Sequence, residues 1–319
     1  MKVVITGAAG FLGSRIADEL LKPDSPIPVK NLTLVDAILP NKRNDPRVKV
    51  LAVDITSPEA ASNLIEPDCD VFFHLAAIVS GHAEADFDLG MAVNFDATRS
   101  LLEAARKKVP SLKFVFTSSC GVFGGDLPKT VTDMTACQPQ TSYGTQKAMC
   151  ELLINDYSRK KFLDGRFVRL PTICIRPGAA NKAMTSFVSG IVREPLNGEV
   201  AICPVARSQK VWISSPRMVV KNIIHAALVP ESSLGLWRGV NIPGFCVSVD
   251  EILAALRKVA GDKVVALVRF ETDAEIRRML ESLPLDFDNS HALKLGFDVD
   301  KDFADVIYSY IRDDLKRSV

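Results

Sequence analysis

No apolar run in this 319-residue sequence approaches the ~20 residues that a bilayer-spanning helix needs. A helical membrane protein is therefore not expected. Neither sign of charge is in excess: 39 Lys and Arg stand against 38 Asp and Glu. That balance leaves no electrostatic footprint for nucleic acid or an acidic membrane surface. Cysteine is sparse and scattered, at 69, 120, 137, 150, 174, 203 and 246, with no Cys-x-x-Cys pair. Neither a zinc site nor a disulfide framework is suggested. The histidines at 74, 82, 225 and 291 show no metal-ligand spacing, and no metal is expected. Internal repeats, low-complexity tracts and flexible linkers are also missing. The opening MKVVITGAAGFLG turns glycine-rich almost at once, without the apolar core of a secretory leader. A reduced, cytoplasmic setting is expected.

What is present is a regular alternation. KVVIT (2–6), LTLVD (32–36), VKVLAVD (48–54), DVFFHLA (70–76), KFVFTSS (113–119) and RFVRLPT (166–172) read as strands. Residues 10–21, 57–65, 89–108 and 142–161 read as helices, the second opened by Ser57 as cap and Pro58 in the first turn. Strands apolar on both faces, each followed by a helix, predict a parallel sheet covered on both sides, an α/β architecture. The second half is less regular. Residues 216–228, 248–259 and 302–315 read as helices, and 238–244 as a short strand. Ser248 and Glu251 form a predicted capping box.

Between the first strand and first helix, TGAAGFLG sets Gly7, Gly10 and Gly13 three apart. Glycines there let the backbone approach a pyrophosphate at a helix N-terminus. Asp36 ends the second strand, where an acid accepts both adenosine ribose hydroxyls and repels a 2′-phosphate. NAD is thus favoured over NADP, although Lys42 and Arg43 follow closely. Asp54 and Ile55 end the third strand and are candidates to flank the adenine. TSSCGVFG (117–124) follows the fifth strand, on the side where open α/β sheets bind ligands. Ser118 or Ser119 is placed there to hydrogen-bond a reacting alcohol or carbonyl. TSYGTQK (141–147) puts Tyr143 and Lys147 one turn apart on one face of a helix start. An ammonium beside a phenol favours the phenolate, which is a base for an alcohol proton.

In their order along the first ~180 residues, these elements resemble the extended short-chain dehydrogenase/reductase family. GAAGFLG, Asp36, the DI at 54–55, HLAA (74–77), Asn94, TSSCGVFG, YGTQK and RLPTICIRPG (169–178) carry the resemblance. It implies a Rossmann domain over 1–175, with 208–240 returning to it, and a smaller substrate-binding α/β domain over 176–319. It implies Ser119, Tyr143 and Lys147 as the catalytic triad, with Lys147 also on the nicotinamide ribose. It implies NAD contacts from Gly7, Gly10, Phe11, Leu12, Gly13, Asp36, Asp54, Ile55, Leu75, Ala76, Ala77 and Asn94. Gln146 departs from the serine that members often carry before the lysine. The family commonly dimerises through the two long helices, here 89–108 and 142–161.

Residues 169–217 and the loop 77–90 are similar to a narrower branch of that family, bacterial sugar-acid enzymes that act on D-erythronate. That likeness implies NAD-dependent oxidation of a C2 alcohol. A small hydroxy acid needs a cation for its carboxylate: Lys182, Arg193, Arg207, Lys210 and Arg217 are candidates, with Arg193 and Arg207 ahead because arginine bonds a planar carboxylate in bidentate fashion. Ser80, His82, Asn181, Thr185 and Ser186 are candidates for its hydroxyls. A nucleotide-sugar epimerase or dehydratase that retains its NAD, and a non-catalytic NAD sensor on the same fold, remain alternatives.

Overall fold

A computed structural model of the chain describes residues 1–178, 185–281 and 283–315. Asn181 and Lys182 lie outside the described residues. The first half runs β1 (Lys2–Thr6), α1 (Phe11–Leu21), β2 (Asn31–Asp36), β3 (Val48–Ala52), α2 (Ala60–Leu64) and β4 (Val71–His74). Two short helices, α3 (Ser80–Ala85) and α4 (Phe87–Gly90), lead into a π-helical segment, Met91–Asp96, and α5 (Ala97–Lys108). Next come β5 (Lys113–Ser119), α6 (Ser142–Arg159), β6 (Asp164–Leu170), β7 (Thr172–Ile173), α7 (Ser186–Leu196), β8 (Ala201–Cys203) and β9 (Lys210–Ser214). The remainder is α8 (Pro216–Ala226), α9 (Glu231–Leu234), β10 (Gly239–Asn241), β11 (Phe245–Ser248), α10 (Val249–Ala260), α11 (Asp262–Val265), β12 (Val268–Phe270), α12 (Ala274–Glu281), α13 (Ser290–Lys294) and α14 (Phe303–Tyr310).

Two compact units divide the chain. The first comprises Met1–Val122, Cys137–Arg169 and Val220–Val240; the second comprises Phe123–Ala136, Leu170–Val219 and Asn241–Val319. In the first, a seven-stranded sheet has the order β10-β6-β5-β4-β1-β2-β3. β1 pairs in parallel with both β2 and β4, β2 with β3, and β4 with β5. The order reverses between β1 and β4, so the loops leaving those strands diverge and open a crevice at their carboxyl ends. β4 is buried at every position, as a strand covered on both faces must be. One apolar cluster joins Phe72, Phe114 and Phe167 of the sheet to Leu101 and Leu102 of α5 and Ile154 of α6.

The second unit is built on a three-stranded sheet, β11-β9-β7, and a two-stranded one, β12-β8. Its core joins Val188 and Ile191 of α7, Ile252 and Leu256 of α10, and Phe303 and Ile307 of α14. The capping box forms: the Ser248 hydroxyl accepts from the Glu251 N–H at 3.2 Å, and the Glu251 carboxylate accepts from the Ser248 N–H at 2.7 Å.

Two expected boundaries move. The helix expected to open at Ser57 begins at Ala60 instead. The Ser57 hydroxyl donates to the Asp54 carbonyl at 2.7 Å, which closes a turn rather than capping a helix. The single helix expected over 89–108 is divided by the wide π-helical segment Met91–Asp96, which carries Asn94.

Candidate active site

The glycine loop is shaped by close approach. Gly7 has φ of 74°, in the left-handed region, and a Cβ there would lie 2.7 Å from the Ala76 nitrogen. A Cβ on Gly13 would collide with the Gly7 carbonyl oxygen, so α1 rests directly on the loop. α1 follows Gly10 with no side-chain cap and no acid in its first turn. The first-turn N–H groups, those of Phe11, Leu12 and Gly13, therefore lie at a helix N-terminus suited to an anion. Asp36 closes the other side, its carboxylate accepting from the Ala9 N–H at 3.0 Å. This cradle fits the pyrophosphate and ribose of a dinucleotide. Arg43 is engaged elsewhere, donating to Asp18 at 3.0 Å and to the Ser14 hydroxyl at 2.6 Å.

Other predicted cofactor residues separate. Leu75 and Ala76 follow β4 beside the glycine loop, the Leu75 N–H bonded to the Thr6 carbonyl at 3.2 Å. Ala77 follows them and is partly exposed. Asp54 turns back on its own loop, accepting from the N–H and hydroxyl of Thr56, and these bonds hold its carboxyl below the ordinary value. Ile55 is 8% exposed and packs in the apolar cluster. Asn94 is buried: its Oδ1 accepts from the Ile78 N–H at 2.8 Å, and its Nδ2 donates to the Ile78 carbonyl at 3.1 Å.

The choice between the two serines is made by burial. The Ser118 hydroxyl points inward and donates to Glu151, which also accepts from Arg169 through Nε and Nη2, at 3.0 and 2.7 Å. Ser119 is the partly exposed one, its Oγ accepting from the Gly121 N–H at 3.0 Å. A Cβ on Gly121 would lie 3.3 Å from Ser119 Oγ and 3.9 Å from Tyr143 Cδ1, so both side chains border the same point. α6 is capped by Thr141, whose hydroxyl accepts from the Gly144 N–H at 3.1 Å, and its first turns present Tyr143 and Lys147. Lys147 is buried and donates to the Thr117 carbonyl at 2.9 Å; its ammonium is 5.7 Å from the Tyr143 ring centroid.

Electrostatically the pair is poised apart. Burial pushes the Tyr143 phenol up to about 12, while the Ser119 hydroxyl pulls the other way. Burial lowers Lys147 to about 8, against the pull of Cys150 and Glu151. The expected lowering of the phenol by the ammonium does not act in the protein alone: burial raises Tyr143, and the opposing pull comes from the Ser119 hydroxyl. Beneath them His74 is fully buried and held down near 3 by burial first and the Lys147 charge second. Thr98 gives its hydroxyl proton to the Asn94 carbonyl at 2.7 Å, so its oxygen must accept from His74 Nε2, at 2.9 Å. His74 Nδ1 is then the acceptor for Thr6, at 2.6 Å.

Substrate candidates in the first unit are Ser80, which opens α3, and His82 two residues later. In the second unit, Thr185 and Ser186 stand at the start of α7. Arg193 is 5% exposed and spent on the Arg176 carbonyl at 2.8 Å and the Glu194 carboxylate. Arg207 is exposed and paired with Asp250 at 3.1 Å, over the Phe270 ring. Lys210 and Arg217 are exposed. Sequence reasoning missed Arg176. Its guanidinium has no hydrogen-bond or ion-pair partner among the described residues, and burial and the Arg193 charge lower its pKa. The signal was available in IRPG (175–178), beside residues singled out for other reasons. No group of metal-ligand side chains occurs among the described residues.

The NAD dependent epimerase/dehydratase family matches residues 3–214. A D-erythronate dehydrogenase of Haemophilus influenzae is 51% identical, over 99% of this chain and 100% of that protein. A D-erythronate dehydrogenase of Cupriavidus necator is 46% identical, over 98% of each chain. A solved structure described as a nucleoside-diphosphate-sugar epimerase from Agrobacterium tumefaciens superposes with a TM-score of 0.95 at 44% identity, over 100% of this chain and 95% of that one.

Asp36→Ala is expected to weaken NAD binding and to narrow the preference over NADP, because the carboxylate that excludes a 2′-phosphate is gone. Dissociation constants for both nucleotides, by fluorescence titration, check this. Wild-type protein that binds NADP more tightly would count against it.

Proposed function

This chain belongs to the NAD dependent epimerase/dehydratase family, and we propose that it is a dehydrogenase that oxidises the C2 alcohol of D-erythronate to 2-dehydro-D-erythronate with NAD. The observation that carries the reading is the setting of Tyr143, Lys147 and Ser119 at the ends of β5 and α6, in a chain alike over its full length to two D-erythronate dehydrogenases. Bound NAD supplies the hydride acceptor and a cationic ring. Ser119 orients the C2 hydroxyl. Tyr143 takes its proton as the C2–H bond breaks with its electron pair, leaving the ketone. Lys147 holds its positive charge beside the phenol and favours phenolate against the desolvation that opposes it.

A nucleotide-sugar epimerase, the name carried by the similar Agrobacterium structure, returns the hydride and accumulates no NADH. Net NADH formation with a panel of four-carbon sugar acids separates the two. The seven cysteines are all free thiols, which suits a reduced cytoplasm. No described helix is long and apolar enough to cross a membrane.

For the substrate hydroxyls the proposed partners are Ser80, Asn181, Thr185 and Ser186. For the carboxylate, Arg176 replaces Arg193 and Arg207, whose guanidiniums are already paired. A homodimer is proposed through α5 and α6. Leu152 of α6 is 62% exposed, and Ala148 and Met149 of the same helix are partly exposed. Sedimentation at micromolar concentration tests it: a fully active monomer would refute the dimer.

Tyr143→Phe keeps the ring and removes the proton acceptor, so turnover falls by roughly 10²–10⁴-fold. In wild type the rate rises with pH as the phenol ionises. Lys147→Met removes the cation that favours phenolate, so that limb moves to higher pH. A single-turnover NADH burst with D-erythronate, unchanged in Tyr143→Phe, would show that another group takes the proton. Arg176→Gln raises KM for D-erythronate about 10- to 100-fold, the worth of a hydrogen bond to a charged group, with NAD affinity unmoved. An unchanged KM excludes Arg176 as the carboxylate's partner.

A further inference from the structure

The residue before Lys147 is a glutamine, 1% exposed, in the middle of the first unit. The Ile78 N–H is an unambiguous donor, so the Asn94 atom that receives it, at 2.8 Å, is the amide oxygen. Asn94 Nδ2 is then the donor that meets Gln146 at 2.7 Å, and the Gln146 atom there must be Oε1. This places Gln146 Nε2 on the opposite side, buried and without a hydrogen-bond partner. The amide lies against Gly90, where a Cβ would come within 2.7 Å of Nε2 and 3.1 Å of both Oε1 and the Ala83 methyl. A buried, half-satisfied amide is unfavourable on its own. It is explained if the other half of the side chain performs a task.

We propose that Gln146 is a positioning residue that fixes the segment after β4 to the catalytic helix. The linkage runs from Gln146 Oε1 to Asn94, and from Asn94 to both backbone polar groups of Ile78. Ile78 stands between Ala77 and Ser80, the proposed cofactor and substrate contacts. Gln146 lies between Tyr143 and Lys147 on α6. One amide thereby ties the turn that presents the proton acceptor to the loop that presents Ser80. Gly90 is the cost: α4 must end in a residue without a side chain to admit the Gln146 amide. Ala83, in α3 of the same loop, would also crowd a Cβ at Gly90.

The inference rests on the dehydrogenase reading for its kinetic test but not for its structural one. Gln146→Met keeps length and volume and removes the acceptor; Gln146→Glu keeps it. In the protein without substrate, amide exchange at Ile78 accelerates about tenfold in Gln146→Met, the weight of one buried hydrogen bond, and stays slow in Gln146→Glu. In turnover, KM for D-erythronate rises by about the same factor in Gln146→Met while NAD affinity holds, and Gln146→Glu restores it. Gly90→Ala impairs the wild type, whereas Gly90→Ala with Gln146→Ser is no worse than Gln146→Ser alone, because the obstructed amide is gone. Unchanged Ile78 exchange in Gln146→Met overturns the proposal. So does a variant that loses thermal stability while KM and exchange at Ile78 stay as in wild type. Wild-type protein that forms no NADH from D-erythronate would overturn the substrate reading instead, and leave the exchange result to decide on Gln146.

Discussion

Glu151 buries a carboxylate to 1% exposure between a strand and a helix that must not slide. It accepts from Ser118 of β5 and from Arg169 of β6, while its own backbone belongs to α6. Burying an ion pair brings a large desolvation cost, and breaking it by removing one partner leaves a worse state, an uncompensated buried charge. The pair is therefore better understood as specifying register than as adding stability. Ser118 adjoins Ser119, and Glu151 lies one turn beyond Lys147. With Lys147 bonded to the Thr117 carbonyl, α6 is attached to β5 at two consecutive turns. Sliding the helix by one residue would break both attachments and separate Tyr143 from Ser119.

The same burial that makes the register rigid sets the chemistry. Desolvation raises Tyr143 and lowers Lys147, so the protein by itself holds the phenol neutral and the ammonium close to losing its proton. Glu151 on the same helix supports the ammonium form, and His74, kept neutral in the layer beneath, adds no competing cation. Were His74 charged, it would repel Lys147 across the β4–β5 layer. Its tautomer is fixed by Thr98, whose proton is committed to the Asn94 carbonyl, and Thr6 then donates to the other ring nitrogen. A buried imidazole thus serves here as a neutral hydrogen-bonding spacer between β1 and α5.

Local features were legible in the sequence where the relevant physics is local. The Gly7–Gly10–Gly13 spacing, the Ser248–Glu251 box and the one-turn separation of Tyr143 and Lys147 each involve atoms a few residues apart. The alternation of apolar runs with helices gave the sheet because burial on both faces leaves a pattern in every strand. The features that escaped depend on distant partners. Ser57 looked like a helix cap, but the Asp54 carbonyl took its hydroxyl and the helix began later. Arg193 looked like a free cation, but the Arg176 carbonyl and Glu194 hold it. Gln146 looked like a neutral departure from a family pattern, because Asn94, 52 residues away, is invisible from its own segment.

Charge accounting carries the argument from fold to selectivity. Near the glycine loop, two basic residues follow β2: Lys42 is exposed, whereas the donors of Arg43 are already occupied by Asp18, Ser14 and the Asn41 carbonyl. Asp36, at the end of β2, accepts from the Ala9 N–H beside that loop. In the second unit the situation is reversed. Arg193 and Arg207 have acidic partners, whereas Arg176 has none among the described residues and lies close enough to Arg193 to feel its charge. A guanidinium in that position gains most from an arriving carboxylate, which relieves repulsion as well as forming hydrogen bonds. A neutral sugar would leave that repulsion in place. The first unit thus sets a carboxylate beside its glycine loop, and the second holds a half-buried guanidinium with no acidic partner among the described residues.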